Sequence, residues 1–212
     1  MNIKRNLLTL LSGLALAALP LTAETVPKNP AHAEPLAVGE RVPNVTVRQP
    51  DGTVVALPDL LEGHPSVLVF YRGGWCPYCN AHLSAIGQTE ERIEAAGYRI
   101  FAISPDRVEK VARAAEEAVF GYTLLSDSPG AAARAFGLAF TVDDDTHERL
   151  LGFGIDLEEA SGEDHRQLPV PAVFVIDAGG TLTFRHHDPD YRERLSPEAL
   201  LEVIETGNTP TD

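Results

Sequence analysis

The feature that most constrains this chain is a pair of cysteines, Cys76 and Cys79, placed where an apolar run ends and a helical pattern begins. Ser66-Val-Leu-Val-Phe-Tyr71 has the length and composition of a buried strand. Arg72-Gly73-Gly74-Trp75 and Cys76-Pro77-Tyr78-Cys79 follow at once. A long helical stretch comes next, with Leu83, Ile86 and Ile93 on one face and Gly97 suited to the position after its end. These are the only 2 cysteines in 212 residues, so neither a disulfide-rich scaffold nor a four-cysteine zinc site can be built. A structural staple closing so short a loop would contribute about 2 kcal/mol, against about 3 kcal/mol for a 15-residue loop. The spacing therefore suits a redox pair better than a clasp.

At a helix start, unpaired amides and the positive end of the helix dipole favour a thiolate, so Cys76 is the predicted nucleophile. Cys79, about one turn further on, is the predicted resolving thiol, and the two are expected to form the redox-active disulfide. Pro77 fixes φ where a missing N–H costs nothing. Trp75 and Arg72 are candidate substrate-binding residues, the guanidinium being able to favour thiolate or hold a polar group. Core packing for Trp75 and a solvated loop position for Arg72 are the plainer alternatives.

Lys4 and Arg5 followed by the apolar run Leu7–Leu21 read as a secretory signal, too short for a spanning helix of about 20 residues. Cleavage after Ala23 is the better-placed site and Ala33 the second. No stable membrane insertion is expected afterwards, and the predicted location is exported, in a bacterial periplasm. Residues 24–41, with Pro27, Pro30 and Pro35, suit an extended linker, and folded structure is expected from about Val42 to residue 208. Val45–Arg48 and Thr53–Leu57 flank the turn Pro50-Asp51-Gly52 and read as a hairpin. Arg99–Ser104 is a second buried strand, residues 106–120 a second helix, Tyr122–Leu125 a short strand and Gly130–Phe136 a short helix. Residues 138–168 read as a polar, acidic insertion with little core signal. Ala172–Asp177 and Thr181–His186 form a hairpin, and Pro197–Glu205 a last helix capped by Ser196. This order predicts an α/β, thioredoxin-like fold with an N-terminal β-hairpin and a mid-chain insertion.

Seventeen basic against 31 acidic residues give a net charge of −14, which becomes −16 once Lys4 and Arg5 leave with the signal. Such a surface repels phosphate backbones, so nucleic acid is not an expected partner. No cofactor is expected. Asp143-Asp144-Asp145 lacks the spacing of a calcium loop. Two thiols with one histidine could hold Cu(I). His186 and His187, however, would point to opposite faces of a strand, and His82 falls about 240° around the helix from Cys76 and reads as exposed.

Four segments, FYRGGWCPYCNAHL (70–83), FAISPD (101–106), LLSDSPGAAARAFGL (124–138) and LPVPAVFVIDAGGTLTF (168–184), resemble the peroxiredoxin-like proteins of the alkyl hydroperoxide reductase C / thiol-specific antioxidant (AhpC/TSA) group in the thioredoxin superfamily. The resemblance implies that Pro171 is a cis-proline facing the redox pair and that Val170 presents backbone groups to substrate. It also exposes departures. Peroxiredoxins proper carry Pro-x-x-x-Thr/Ser-x-x-Cys, whereas this chain has Val69 and Gly73, so the hydroxyl that would orient a peroxide is missing. The arginine that peroxiredoxins place before the later strand is replaced by Val170-Pro171-Ala172.

Three functions are compatible with this reading. In the first, Cys76 reduces a hydroperoxide, Cys79 resolves the sulfenic acid, and a thioredoxin-like donor or a membrane relay restores the thiols. In the second, the protein is a TlpA- or ResA-type thiol-disulfide oxidoreductase acting on protein disulfides. The third is a copper chaperone.

Overall fold

The computed structural model describes residues 25–118 and 120–207, so the expected signal at 1–23 lies outside the described residues. Its centre is β3 (Ser66–Phe70), buried along its whole length. With side chains alternating across the sheet, Val67 and Val69 face one core cluster and Leu68 and Phe70 the other. β3 pairs in parallel with β4 (Arg99–Ser104) and antiparallel with β8 (Ala172–Ile176). β4 pairs in parallel with β5 (Thr123–Ser126), and β8 antiparallel with β9 (Leu182–His187). The hairpin of β1 (Thr46–Arg48) and β2 (Val54–Ala56) completes a sheet of order β2-β1-β5-β4-β3-β8-β9.

One face carries α2 (Pro77–Gly87), α3 (Glu90–Ala95), α4 (Val108–Glu117) and α8 (Pro197–Thr206), through Leu83, Ile86, Ile93, Val111, Leu200 and Ile204. The other carries α1 (Leu57–Leu61) and α5 (Ala131–Ala135), which cover Phe70, Phe101 and Phe174. The architecture is the expected thioredoxin-like α/β fold. Ser196 caps α8 as read from sequence, its hydroxyl accepting the Ala199 amide at 3.1 Å.

Four local expectations are corrected. The single long helix after Cys79 is two, because both the amide and the hydroxyl of Thr89 bond back to the Ile86 carbonyl, at 2.9 and 2.8 Å, and tighten the last turn. Residues 25–41 are not a free linker. Ala33 and Leu36 pack on the sheet's second cluster, and backbone bonds run from Leu36 to Phe136, Gly39 to Leu182 and Thr141 to Pro27. The acidic insertion has its own small core: β6 (Ala139–Thr141) pairs with β7 (Gln167–Pro169), and Val142, Leu157 and Leu168 are buried together between α6 (Asp144–Gly152) and α7 (Leu157–Ser161). Each element gives only one or two apolar groups, too few to show as a period. Its aspartates have a local purpose, since Asp143 caps α6 through the Thr146 amide and Asp144 and Asp145 sit in the first turn, where the helix dipole favours negative charge. Finally, no described peptide bond is cis, so Val170–Pro171 is trans. The chain runs extended from β7 into β8, and no tight turn there offsets the roughly 0.5–1 kcal/mol preference for trans.

Candidate active site

Cys76 is the N-cap of α2 in an extended conformation, with Pro77 in the first turn. Its amide bonds to the Gly73 carbonyl at 3.1 Å, and the Asn80 side chain ties the Gly74 carbonyl at 2.8 Å, so the approach loop is latched to the helix it precedes. Cys79 lies on the buried side of α2, and both cysteines are free thiols, each 1% exposed. The Cys79 thiol donates to the Cys76 sulfur at 2.7 Å. That bond is the largest cause of a Cys76 pKa lowered to about 6, helped by the Cys79 amide and the charges of Arg72 and Arg194 against the opposing effect of burial. Cys79 moves the other way, above the ordinary thiol range, because ionising it would remove the proton it donates and because it is buried. One sulfur is a poised nucleophile and the other holds its proton.

Trp75 and Arg72 both stand beside the pair. Arg72 is buried, and its guanidinium lies between the Trp75 ring, at 5.1 Å, and the Tyr191 ring, at 4.3 Å. Gly73 permits this arrangement: its φ is +141°, and a β-carbon there would sit 2.4 Å from Trp75 Nε1. Trp75 also packs against the small core of the insertion, so that segment is structurally continuous with the site. Val170 is not brought to the pair. Its side chain joins the cluster on the opposite face, and its amide is spent on the Leu138 carbonyl at 2.8 Å. Pro171 is buried and, by alternation with Val173 and Val175, falls on the cysteine face.

Three participants were missed from sequence. The loop between β9 and α8 folds over the thiols. Tyr191 meets the Tyr78 ring edge-on at 5.6 Å, and Arg194 points a guanidinium nitrogen at the Cys79 sulfur, 3.8 Å away. In Asp190-Tyr191-Arg192-Glu193-Arg194 the only hint is two arginines in an acidic chain, which reads as a solvated surface. The same loop overturns the expectation that His82 is exposed: it is half-buried, donates to the Leu195 carbonyl at 3.0 Å, and its pKa falls to about 4 through burial. Asp106, read as the first residue of a helix, instead lies beneath the approach loop and accepts the Gly74 amide at 2.7 Å. Among the described residues no His, Asp or Glu joins the cysteines in a group of three able to hold a metal ion, so the copper-chaperone reading lacks its third ligand.

Arg72 is expected to act by both charge and stacking. Arg72→Met, which keeps the bulk, should raise the Cys76 titration midpoint, and Arg72→Lys should restore only part of the shift. Ultraviolet thiolate absorbance against pH reads both; identical midpoints in all three proteins would remove Arg72 from the site's electrostatics.

A parallel-centred sheet with a Cys-Pro-Tyr-Cys pair at the start of its first long helix defines a thioredoxin-fold dithiol protein. The AhpC/TSA family pattern matches residues 38–185, and the chain belongs to that family. Peroxiredoxin Bcp of Escherichia coli (strain K12) is 30% identical over 104 residues, which are 49% of this chain and 66% of that protein. Peroxiredoxin Q of the chloroplast of Oryza sativa subsp. japonica is 29% identical over 124 residues, 58% of this chain and 55% of its own length. The matches thus span about two thirds or less of these relatives. Among solved structures, peroxidoxin BcpB from Mycobacterium tuberculosis superposes with a TM-score of 0.61 at 23% identity, covering 79% of this chain and 96% of that one.

Proposed function

We propose that this protein is a thiol-dependent peroxidase that reduces hydroperoxides through Cys76, with Cys79 as the resolving thiol. The observation that carries the reading is the 2.7 Å thiol–thiolate contact, which keeps Cys76 ionised near neutral pH and a second sulfur in reach. The Cys76 thiolate attacks the outer peroxide oxygen, the O–O bond breaks, and the alkoxide takes up a proton, giving an alcohol and Cys76 sulfenic acid. Cys79 then attacks the Cys76 sulfur, and water and the Cys76–Cys79 disulfide form. A dithiol donor, thioredoxin-like or linked to a membrane relay, reduces the disulfide and is itself oxidised.

Family membership and the kinship with peroxiredoxin Bcp support the choice of hydroperoxide. So does access. Both sulfurs are almost fully covered, and Arg194 stands against the Cys79 sulfur, which favours a small oxidant over a protein disulfide. The missing Thr/Ser at Gly73 favours disulfide exchange instead and is the reason to test both. Arg72 and Arg194 supply positive charge where the family's usual arginine is absent. Export to a periplasm is part of the proposal and rests on the N-terminal sequence; no helix among the described residues is long and apolar enough to cross a membrane.

Trp75, the only tryptophan, packs against the site and serves as the probe. In stopped flow, reduced protein mixed with hydrogen peroxide should change its emission far faster than a free thiolate is oxidised, and Cys76→Ser should stay flat. A rate no greater than that of a free thiol would transfer the assignment to protein disulfides.

A further inference from the structure

The parallel strands β4 and β5 lie side by side, yet the chain leaves them in opposite directions. After β4 it enters α4, whose Val111 packs in the cluster that holds the cysteines. After β5 it enters α5, whose Ala132 packs in the cluster on the other face. Loops that diverge from neighbouring carboxyl ends leave a crevice between them, the place where open α/β sheets hold ligands. Here the crevice is an open cleft of about 630 Å³. Arg107 and Val108, where α4 begins, and Ser128 of the loop after β5 line it, together with Arg48 of β1 and Glu163, which follows α7. Neither cysteine does.

Ser128 is only 9% exposed, and its hydroxyl has no hydrogen-bond partner among the described residues. That hydroxyl is not sealed from the cleft it lines. Ser161, on the same cleft, behaves differently: its hydroxyl donates to the Leu157 carbonyl at 2.8 Å and accepts the Glu163 amide at 3.1 Å. The loop that carries Ser128 is fixed on both sides. The Asp127 carboxylate accepts the Ala132 and Ala133 amides at 3.0 and 2.8 Å. His165 accepts the Gln167 amide on Nδ1, which keeps its proton on Nε2, and that nitrogen donates to the Ser128 carbonyl at 2.9 Å. A hydroxyl held in place and left unspent is preorganised for a group that enters the cleft. Beside it α4 begins without a side-chain cap, so the Val108 and Glu109 amides have no intrahelical acceptor and form the positive end of a helix of 10 residues.

The charges around the cleft define what it accepts. Arg48 is exposed and pairs with no acidic group among the described residues, although the chain has 31 acidic residues against 17 basic. The Glu163 carboxylate is exposed and unpaired as well. Arg107 is already engaged, by Glu159 at 2.6 Å and Glu109 at 3.9 Å. A multiply charged anion would meet Glu109, Glu163 and the field of a chain with a net charge of −14. A cation would meet two arginines and a helix N-terminus. A molecule with one charge of each sign, at opposite ends, escapes both penalties. We infer that this cleft binds a short zwitterionic peptide, its carboxylate on Arg48, the Ser128 hydroxyl and the first amides of α4, and its ammonium group towards Glu163. The cleft's volume lies within the range of about 300–1,000 Å³ usual for small-molecule sites. None of these residues belongs to the cysteine site, so the inference stands apart from the peroxidase reading.

The test titrates triglycine into the isotope-labelled, reduced full chain and follows backbone amide shifts by NMR. The amides of Val108, Glu109 and Ser128 should shift and saturate together. Ser128→Ala and Arg48→Gln should each raise the triglycine Kd about fivefold or more, the size expected for a lost hydrogen bond to a charged group. Arg48→Gln alters an exposed side chain and carries the test if Ser128→Ala disturbs its loop. Triglycinamide, without the carboxylate, and N-acetyl-triglycine, without the ammonium group, should both bind more weakly than triglycine. Glu163→Gln should weaken triglycine and leave N-acetyl-triglycine unchanged, a difference that general damage to the cleft would not produce. No saturable shift, or a triglycine Kd unchanged in both Ser128→Ala and Arg48→Gln, would overturn the proposal. Inorganic phosphate saturating the same amides as tightly as triglycine would overturn it too, by making the cleft a plain anion site.

Discussion

Alkylation of Cys76 in the reduced protein is expected to titrate with a midpoint near pH 6, well below that of a free cysteine at about 8.5. At that pH about half of Cys76 is thiolate, against about 0.3% of an unperturbed thiol, an excess of roughly 150-fold. Lower basicity weakens the nucleophile. With a Brønsted slope of about 0.4–0.5, the net advantage at equal access is about tenfold. The midpoint, unlike the absolute rate, does not depend on how readily the reagent reaches the buried sulfur.

The cause can be isolated. Cys79→Ala removes the donor and should move the midpoint sharply upward, whereas Cys79→Ser keeps an O–H in its place and should retain part of the shift. A wild-type midpoint near 8.5 would show that the thiol–thiolate bond is not formed in solution. The sign of the linked stability follows. A depressed folded-state pKa stabilises the reduced protein fully above the unfolded value, and the contribution is lost as pH falls through about 6.

The second large effect is expected far from the sulfurs. Gly137→Ala should release the N-terminal segment from the body of the protein. Its φ is +68°, and a β-carbon there would lie 2.0 Å from the Glu34 carbonyl oxygen and 2.7 Å from its carbon. A left-handed non-glycine residue alone costs about 1–3 kcal/mol. The clash is with main chain, so it cannot be relieved by turning a side chain. Loss of about 2 kcal/mol in a domain of this size corresponds to a fall in Tm of about 4–8 °C. Calorimetry reads the fall, and limited proteolysis should show cleavage within residues 25–41 that the wild type resists. Wild-type Tm together with wild-type protease resistance would mean that the segment is not docked as described.

What could be read from sequence and what could not divides along the reach of each contact. The strand Ser66–Phe70, the cysteine pair and α2 are adjacent in the chain, so length, apolar composition and Pro77 announce them together. The β8–β9 hairpin is equally local. Tyr191, Arg194 and Asp106 reach the site around the thiols from segments far away in sequence, and nothing in an acidic loop or at a helix entry distinguishes a residue that will be buried from one that will be solvated. Position 170 failed for a different reason: the family resemblance implied backbone groups presented to substrate there, but its amide is spent on the Leu138 carbonyl and its side chain packs in the cluster on the opposite face. The core of the insertion was invisible because Val142, Leu157 and Leu168 sit on three separate short elements.

The docked N-terminal segment also makes the two candidate processing points unequal. A cut after Ala23 leaves all of the packed segment attached. A cut after Ala33 discards Pro27, whose carbonyl satisfies the Thr141 amide at 2.8 Å, and places a new ammonium group on Glu34, against Gly137. In the folded protein Ala33 is held in a 3-10 turn by its bond to Pro30, whereas a peptidase needs the chain drawn out into an extended strand. Trimming at Ala33 would therefore have to come before this edge of the molecule closes, while trimming at Ala23 imposes no such order of events.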